Sequence, residues 1–137
     1  MKLVTRDTDY ALRALCYMAG CQDRVVPASE LVRELGIPRP FLRKILQVLH
    51  KRKVLKSYRG QGGGFLFMMP PDKIFLFGLI EIFQGRLRLN DCFFKKMVCP
   101  NTGRCILKKK IDGLERYILK ELSSITVASL TSKTGNG

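Results

Sequence analysis

The sequence predicts a mainly α-helical fold with one small β-hairpin, namely a winged helix-turn-helix followed by a long helix suited to dimerisation. Three observations predict it. A short helix, a glycine turn and a basic amphipathic helix follow one another within residues 28–51. Two short apolar strands then flank a glycine-rich turn over residues 54–68. A long helix with one narrow apolar stripe begins after residue 105.

The charge of the chain indicates a polyanionic partner. The 137 residues include 25 Lys and Arg against 11 Asp and Glu, a formal net charge of +14. Nucleic acid and anionic membrane are the obvious polyanions. The longest apolar run, 74–80, is cut by Glu81 and is too short to span a bilayer, and the start of the chain lacks the apolar stretch of a secretory signal. We therefore expect a cytoplasmic protein with no membrane partner.

Helix one is predicted to begin at Asp7, Thr8 or Asp9, whose side chains are good N-caps. Apolar residues then recur at i, i+3 and i+4 spacing, with Arg13 on the other face. A second helix is expected to open at Ala28 or Ser29 and to run through residue 35, where a glycine follows.

The third predicted helix carries the most functional information. One stripe is apolar and comprises Phe41, Leu42, Ile45, Leu46 and Leu49. The outer face is basic and rich in hydrogen-bonding groups, as expected of a recognition helix that enters the major groove of DNA. We predict DNA contacts from this face, which comprises Arg39, Arg43, Lys44, Gln47, His50 and Lys51.

The next segment is predicted to form a hairpin wing. Residues 54–58 and 65–68 have strand composition, and the turn between them holds four glycines. This turn lacks the lysine-serine pair of a phosphate-binding loop, and no helix pattern follows it, so we exclude a nucleotide site. Arg59 at the wing tip suits the narrow minor groove. We expect DNA contacts from Tyr58, Arg59, Gly60 and Gln61.

Two further helices are predicted downstream. Asp72 is expected to cap a helix that is apolar on nearly all sides and ends near Gly85, so that it must be buried. The long helix after residue 105 repeats apolar residues in steps of four and three, which favours a helix-helix seam between two copies of the chain. A last short helix capped by Thr126 and a disordered tail from Thr131 complete the chain.

Three cysteines, Cys92, Cys99 and Cys105, fall within fourteen residues at C-x6-C-x5-C spacing. Three thiolates on one loop suit an iron-sulfur cluster, and nearby Lys and Arg would offset its negative charge. Zinc usually takes four ligands in closer pairs, and a thiol redox switch needs two cysteines of lowered pKa, so both alternatives stay open. Cys16 and Cys21 are interpreted as small apolar residues of the core.

At this point the chain resembles the winged-helix iron-sulfur transcription regulators of the IscR and NsrR type, over residues 1 to 130. The resemblance rests on segments 8–13, 35–37 with 41–46, and 57–65, followed by the three-cysteine loop. It implies a homodimeric regulator that binds a roughly palindromic operator in double-stranded DNA. It also implies that an iron-sulfur cluster, of two-iron or four-iron type, sets the affinity for that operator.

The resemblance also implies the cluster ligands, namely Cys92, Cys99 and Cys105. Members of the IscR type have a histidine shortly after the third cysteine, where this chain has Ile106 and Leu107. NsrR-like members use an acidic residue of the first helix, and Asp9 matches that position, so Asp9 is the candidate fourth ligand.

We therefore predict a sequence-specific transcriptional regulator that senses redox state, nitric oxide or cluster status through its cysteines. The alternative is a cluster-free winged-helix protein with a thiol switch or a structural zinc ion. No set of residues forms a catalytic constellation, so an enzyme with a small-molecule substrate is not expected. The domain boundaries we predict are 1–71 for DNA binding, 72–130 for the linker helix, cysteine loop and dimerisation helix, and 131–137 for the tail.

Overall fold

A computed structural model of the chain describes residues 3–21, 23–87 and 106–131. Within these ranges the chain forms six α-helices and a two-stranded antiparallel sheet. The predicted fold class, mainly helical with a small hairpin, is confirmed. No helix in the same ranges is long and apolar enough to cross a membrane.

Helix α1 spans Arg6–Ala19, and its inner face is buried in the main core. It begins earlier than predicted, since Thr5 is the N-cap residue and Asp7 and Asp9 lie in the first helical turn. The predicted cap residues were therefore wrong. The reason lies far away in sequence: Gln84 Oε1 accepts hydrogen bonds from the Thr5 amide at 2.9 Å and from the Thr8 hydroxyl at 2.6 Å.

Helices α2 (Ala28–Leu35) and α3 (Arg39–Lys51) form the helix-turn-helix. Helix α2 ends at Gly36 in the left-handed conformation with φ of 68°, as the sequence predicted. Four of the five predicted stripe residues of α3 are buried, but Phe41 is 40% exposed. Successive residues of an α-helix lie about 100° apart around its axis, so Phe41 points away from the side on which its neighbour Leu42 is buried. Its ring instead faces the Arg6 guanidinium at 4.6 Å.

The wing consists of β1 (Leu55–Tyr58) and β2 (Gly64–Phe67), within one residue of the predicted strands. They pair antiparallel with Leu55 opposite Phe67 and Tyr58 opposite Gly64. Phe65 also exchanges two backbone hydrogen bonds with Val26, at 2.9 Å and 2.8 Å. The wing is therefore fixed to the segment that leads into α2.

Helix α4 spans Leu76–Gln84 and follows a 3₁₀ turn at Pro71–Lys73. The prediction that Asp72 caps α4 was wrong, because Asp72 lies inside that turn and Phe75 is the N-cap residue. The helix is buried on two sides. Leu79 belongs to the main core, whereas Ile80 packs in a second apolar cluster. Helix α4 therefore connects the two cores.

Helices α5 (Ile106–Leu122) and α6 (Val127–Thr131) end the described chain. Leu122 completes the second apolar cluster on α4. Thr126 caps α6 as predicted, because its hydroxyl accepts the Ser129 amide at 3.0 Å. Thr131 is helical rather than part of a tail, and the rest of the predicted tail lies outside the described residues. The boundary at residue 71 stays a prediction.

Candidate nucleic-acid interface

The outer face of α3 is open to solvent. The burial of Leu42, Ile45, Leu46 and Leu49 holds the opposite face in the main core and so fixes which side chains point outward. All six residues predicted to contact DNA from this helix are exposed: Arg39, Arg43, Lys44, Gln47, His50 and Lys51.

The wing tip is a turn that requires glycine. Gly60 and Gly62 have φ of 90° and 75°. A Cβ on Gly63 would lie 2.3 Å from the Tyr58 carbonyl oxygen, closer than any side chain tolerates. The turn leaves Arg59, Gly60 and Gln61 exposed, and Tyr58 is 40% exposed. The wing-tip residues predicted to contact DNA are therefore all accessible.

A groove runs between α3 and the wing, with a volume of about 520 Å³. We call it the helix-wing groove. Most of its polar lining residues were predicted to contact DNA and come from both elements. Ser57 on β1 is the exception, since it was not predicted from the sequence. The lining comprises Ala28, Arg39, Arg43, Leu46, Gln47, His50, Ser57, Arg59 and Phe65. The structure therefore brings Arg59 together with the outer face of α3.

A second groove, of about 730 Å³, lies at the C-terminal end of α3. We call it the lysine groove. It is lined by Lys44, Gln47, Val48, His50, Lys51, Lys53, Lys56 and Met68. Sequence analysis missed Lys53 and Lys56. The alternation along β1, where Leu55 is buried and Lys56 exposed, is the signal that would have placed Lys56 on this surface.

Helix α3 and the wing are held together by backbone hydrogen bonds. The Val54 amide donates to the Leu49 carbonyl at 2.9 Å, and the Met68 amide donates to the Val54 carbonyl at 2.9 Å. His50 Nδ1 lies 3.4 Å from the Leu55 carbonyl oxygen. The backbones of the two elements are therefore joined directly.

This surface has the chemistry of a DNA reader. Arginine can bind guanine in a bidentate way and glutamine can bind adenine in the major groove, while lysines neutralise phosphates. A helix of 13 residues with its outer face open fits that groove, and an adjacent wing reaches the flanking minor groove.

The predicted cluster ligands Cys92, Cys99 and Cys105 lie outside the described residues. In the described ranges no group of three His, Cys, Asp or Glu side chains could hold a metal ion. The segment that carries the cysteines starts from Leu87, which is buried against α4 and α5, and ends at Ile106, where α5 begins. Cysteine thiolates are the side chains that hold iron-sulfur clusters, so three thiols in one segment fit such a group.

Asp9, the candidate fourth ligand, lies in the first turn of α1, and its Oδ2 is 2.9 Å from Arg13 Nε. The Asp9 side chain is 40% exposed and that of Arg13 59%, so the ion pair is worth only about 0.5 kcal/mol. Release of the Asp9 carboxylate to another partner would therefore cost little.

A second polar cluster links α1 to α2. Glu30 accepts hydrogen bonds from both terminal nitrogens of Arg24 and from the Tyr17 hydroxyl at 2.5 Å. The hydrogen bonds from Arg24 and then from Tyr17 lower the pKa of Glu30 to about 2. The same bond to Glu30 raises the pKa of Tyr17 to about 12.

The two cysteines beside this cluster pack against the edge of the main core. Cys16 and Cys21 are both half-buried. Burial raises the pKa of the Cys16 thiol, and the Cys21 thiol donates to the Tyr17 carbonyl at 3.3 Å. Their surroundings agree with the interpretation that they are apolar residues of the core.

The lowered pKa of Glu30 predicts an acid sensitivity. Because the folded state binds this proton less tightly than the unfolded state, the stabilisation is complete above pH 4.5, the ordinary pKa. It is lost as the pH falls toward the folded pKa of about 2. We expect the free energy of unfolding, measured in urea between pH 7 and pH 3, to fall less steeply for Glu30→Gln than for the unaltered protein. Glu34→Gln controls for the loss of one negative charge from α2, and parallel curves for all three proteins would refute the prediction.

Comparison with known proteins identifies a family of regulators. The profile of the Rrf2 family, described as iron-dependent transcriptional regulators, matches residues 4–133. An HTH-type transcriptional regulator of Aquifex aeolicus (strain VF5) is 35% identical over 123 residues, covering 88% of this chain and 85% of the relative.

Solved structures share the fold. CymR, the global cysteine regulator of B. subtilis, superposes with a TM-score of 0.77 at 18% identity, covering 98% of this chain and 99% of CymR. IscR of T. potens superposes with a TM-score of 0.73 at 22% identity, covering 97% of this chain and 88% of IscR. At these identities the likeness concerns the fold, and it supports the winged-helix architecture.

Proposed function

Because this chain belongs to the Rrf2 family of transcriptional regulators, we propose that it binds an operator as a homodimer and that an iron-sulfur cluster sets its affinity. The DNA contacts in this proposal come from the outer face of α3 and from Tyr58, Arg59, Gly60 and Gln61 of the wing. The same proposal places the protein in the cytoplasm, with no membrane partner and no small-molecule substrate.

One observation carries the DNA-binding part of the proposal. Arg39 and Arg43 of α3 line a single groove with Arg59 of the wing, although Arg59 lies 16 residues beyond Arg43 in the sequence. Every one of these arginines is exposed, and a basic helix with an adjoining wing is the arrangement that reads DNA. The net charge of +14 adds a general attraction to the phosphate backbone.

The cluster part of the proposal rests on the donor set and on where the described chain enters and leaves the cysteine segment. Leu87, buried on α4, precedes Cys92, and Cys105 directly precedes α5. Ligation of the three cysteines, with Asp9 as the fourth ligand, would therefore act on the junction between the core and the long helix. When bound, the cluster would supply a redox-sensitive and nitric-oxide-sensitive centre.

Two copies of this chain are proposed to pair through α5. The exposed large apolar side chains of this helix share one side of it. Their exposed fractions are 73% for Ile106, 65% for Leu107, 55% for Leu114 and 63% for Tyr117. Apolar side chains at this density are typical of a helix seam that is covered by a partner.

Replacing Leu107 and Leu114 with Glu should therefore turn the dimer into a monomer. We expect the dissociation constant of the dimer to rise about a hundredfold, since two apolar contacts are lost from each protomer. Analytical ultracentrifugation over a concentration series measures it. Arg116→Glu, on the polar side of α5, is the control, and an unchanged monomer-dimer equilibrium in the Leu variant would contradict a seam on α5.

Cysteine replacement tests the cluster. We expect protein purified without oxygen to contain iron and acid-labile sulfide in comparable amounts, with the broad visible absorption general to such clusters. Replacing Cys92, Cys99 or Cys105 singly with Ala should remove the colour and most of the iron, whereas Cys16→Ala, in the core, should not. Zinc at about one equivalent per chain without sulfide would favour the structural-zinc alternative. A colourless, metal-free protein would favour a thiol switch.

A further inference from the structure

The lysine groove lies beside the helix-wing groove at the C-terminal end of α3. We propose that Lys53 and Lys56 bind phosphate groups of the same duplex that α3 contacts. This inference rests on the proposed function, because it needs a duplex docked on α3.

The lysine groove carries a concentrated positive charge. Four lysines line the groove, and no carboxylate is among its lining residues. Lys44, Lys51, Lys53 and Lys56 form no ion pair within the part of the chain that the structure describes. Mutual repulsion of four ammonium groups is relieved by an anion with many charges.

The lysine groove is also in the right position for a duplex docked on α3. Gln47 and His50 line the lysine groove and the helix-wing groove alike, so the two grooves adjoin along α3. A duplex that places its major groove over α3 also presents a phosphate backbone on each flank of the helix. The lysine groove meets that backbone at the C-terminal end of α3.

Lys53 has an unusual backbone conformation for a lysine. Its φ of 65° lies in the left-handed region, which glycine and asparagine adopt more readily than lysine. The chain must turn here, because the Lys53 amide donates to the His50 carbonyl at 3.0 Å and the Val54 amide returns to Leu49. The need for a turn explains the left-handed backbone but not the choice of lysine at this position. A contact between the lysine and a phosphate would explain that choice.

Lys56 is held in place from the other side of the groove. Its ammonium lies 5.3 Å from the centre of the Tyr58 ring, and its residue is exposed on β1 next to buried Leu55. The ring limits the freedom of a long side chain, so less entropy is lost when a phosphate binds.

The test is the salt dependence of DNA binding. The full chain and its Lys53→Asn, Lys56→Gln double variant are titrated into a labelled mixed-sequence duplex long enough for two half-sites, over a series of salt concentrations. The slope of log affinity against log salt should fall by about 0.9 for each lost phosphate contact, hence by about 1.8 per protomer. The control, Lys109→Gln with Lys120→Gln on the exposed polar side of α5, removes the same charge and should keep the original slope.

Two outcomes separate this inference from its premise. Equal slopes for the two double variants would overturn the lysine contacts and leave DNA binding by α3 intact. Failure of the unaltered chain to bind the duplex at any salt would overturn the proposed function as well.

A single variant separates contact from folding. Lys53→Asn suits the left-handed turn, so its unfolding free energy should stay equal or rise while DNA affinity falls. Loss of stability together with affinity would assign Lys53 a purely structural role and overturn the proposal for this residue. Lys56→Arg should retain the original slope, because it keeps the charge.

Discussion

Replacing Gly64 with Ala should destabilise the protein by about 3 kcal/mol and remove most of its DNA affinity. A Cβ on Gly64 would lie 2.4 Å from the Val26 carbonyl oxygen and 2.6 Å from its carbon. Both are backbone atoms, so no side chain can move aside. The change forces β2 away from Val26 and breaks the two hydrogen bonds that fix the wing to the segment before α2.

Urea unfolding measures the stability loss, and anisotropy with a labelled duplex measures the binding loss. Gly78→Ala is the matched control, because Gly78 lies in α4 and a Cβ there meets nothing within 4 Å. Because alanine favours a helix more than glycine does, Gly78→Ala should leave the free energy of unfolding unchanged or raise it by up to about 1 kcal/mol. A Gly64 variant as stable as the Gly78 variant, with full DNA affinity, would show that the wing does not need this contact.

Arg43→Ala should lower operator affinity by about 1–3 kcal/mol for each half-site, which is roughly five- to 150-fold. A dimer loses this contact at both half-sites. Arg43 is exposed in the middle of α3 and lines the helix-wing groove beside Gln47. In the proposed function its side chain reads a base, and the exposed position gives it no part in the core. Stability should stay unchanged.

The affinity is measured with an operator obtained by selecting binders from a random duplex pool. Arg43→Lys distinguishes base readout from simple charge, because lysine lacks the planar fork of a guanidinium and should restore little of the discrimination. Arg116→Ala on α5 is the control for the loss of one positive charge. If Arg43→Ala and Arg116→Ala weaken binding equally, Arg43 makes no specific contact.

Local sequence patterns were sufficient for most elements. Gly36 marked the end of α2, and the glycines between Tyr58 and Phe65 marked the wing, because in each case a positive φ or a tight turn excludes other residues. The apolar period of α3 identified its buried side, and with it the exposed basic face.

The features that were not predicted from the sequence depend on contacts between residues far apart in the chain. The start of α1 is set by Gln84, which is 79 residues from Thr5, and no local capping rule includes such a partner. Phe41 is exposed because its direction on α3 falls beyond the core, where Arg6 of another helix meets it. Lys53 and Lys56 share a surface with α3 because the chain turns back there.

The cysteine site shows a different limit. The spacing of the cysteines and the chemistry of thiolates predict the cluster, but Cys92, Cys99 and Cys105 lie outside the described residues. Asp9 lies within them and forms an ion pair with Arg13. The ligand set therefore stays a proposal that chemistry supports.

The central claim is that the cluster sets operator affinity, and one titration tests it. A single preparation purified without oxygen is divided, the cluster is removed from one half with a chelator, and both halves are titrated against the same selected operator at one salt concentration. We expect the two halves to differ in operator affinity by about tenfold or more, which is a usual size for the coupling between two sites. Equal affinities, with iron and sulfide present in one half and absent from the other, would contradict it.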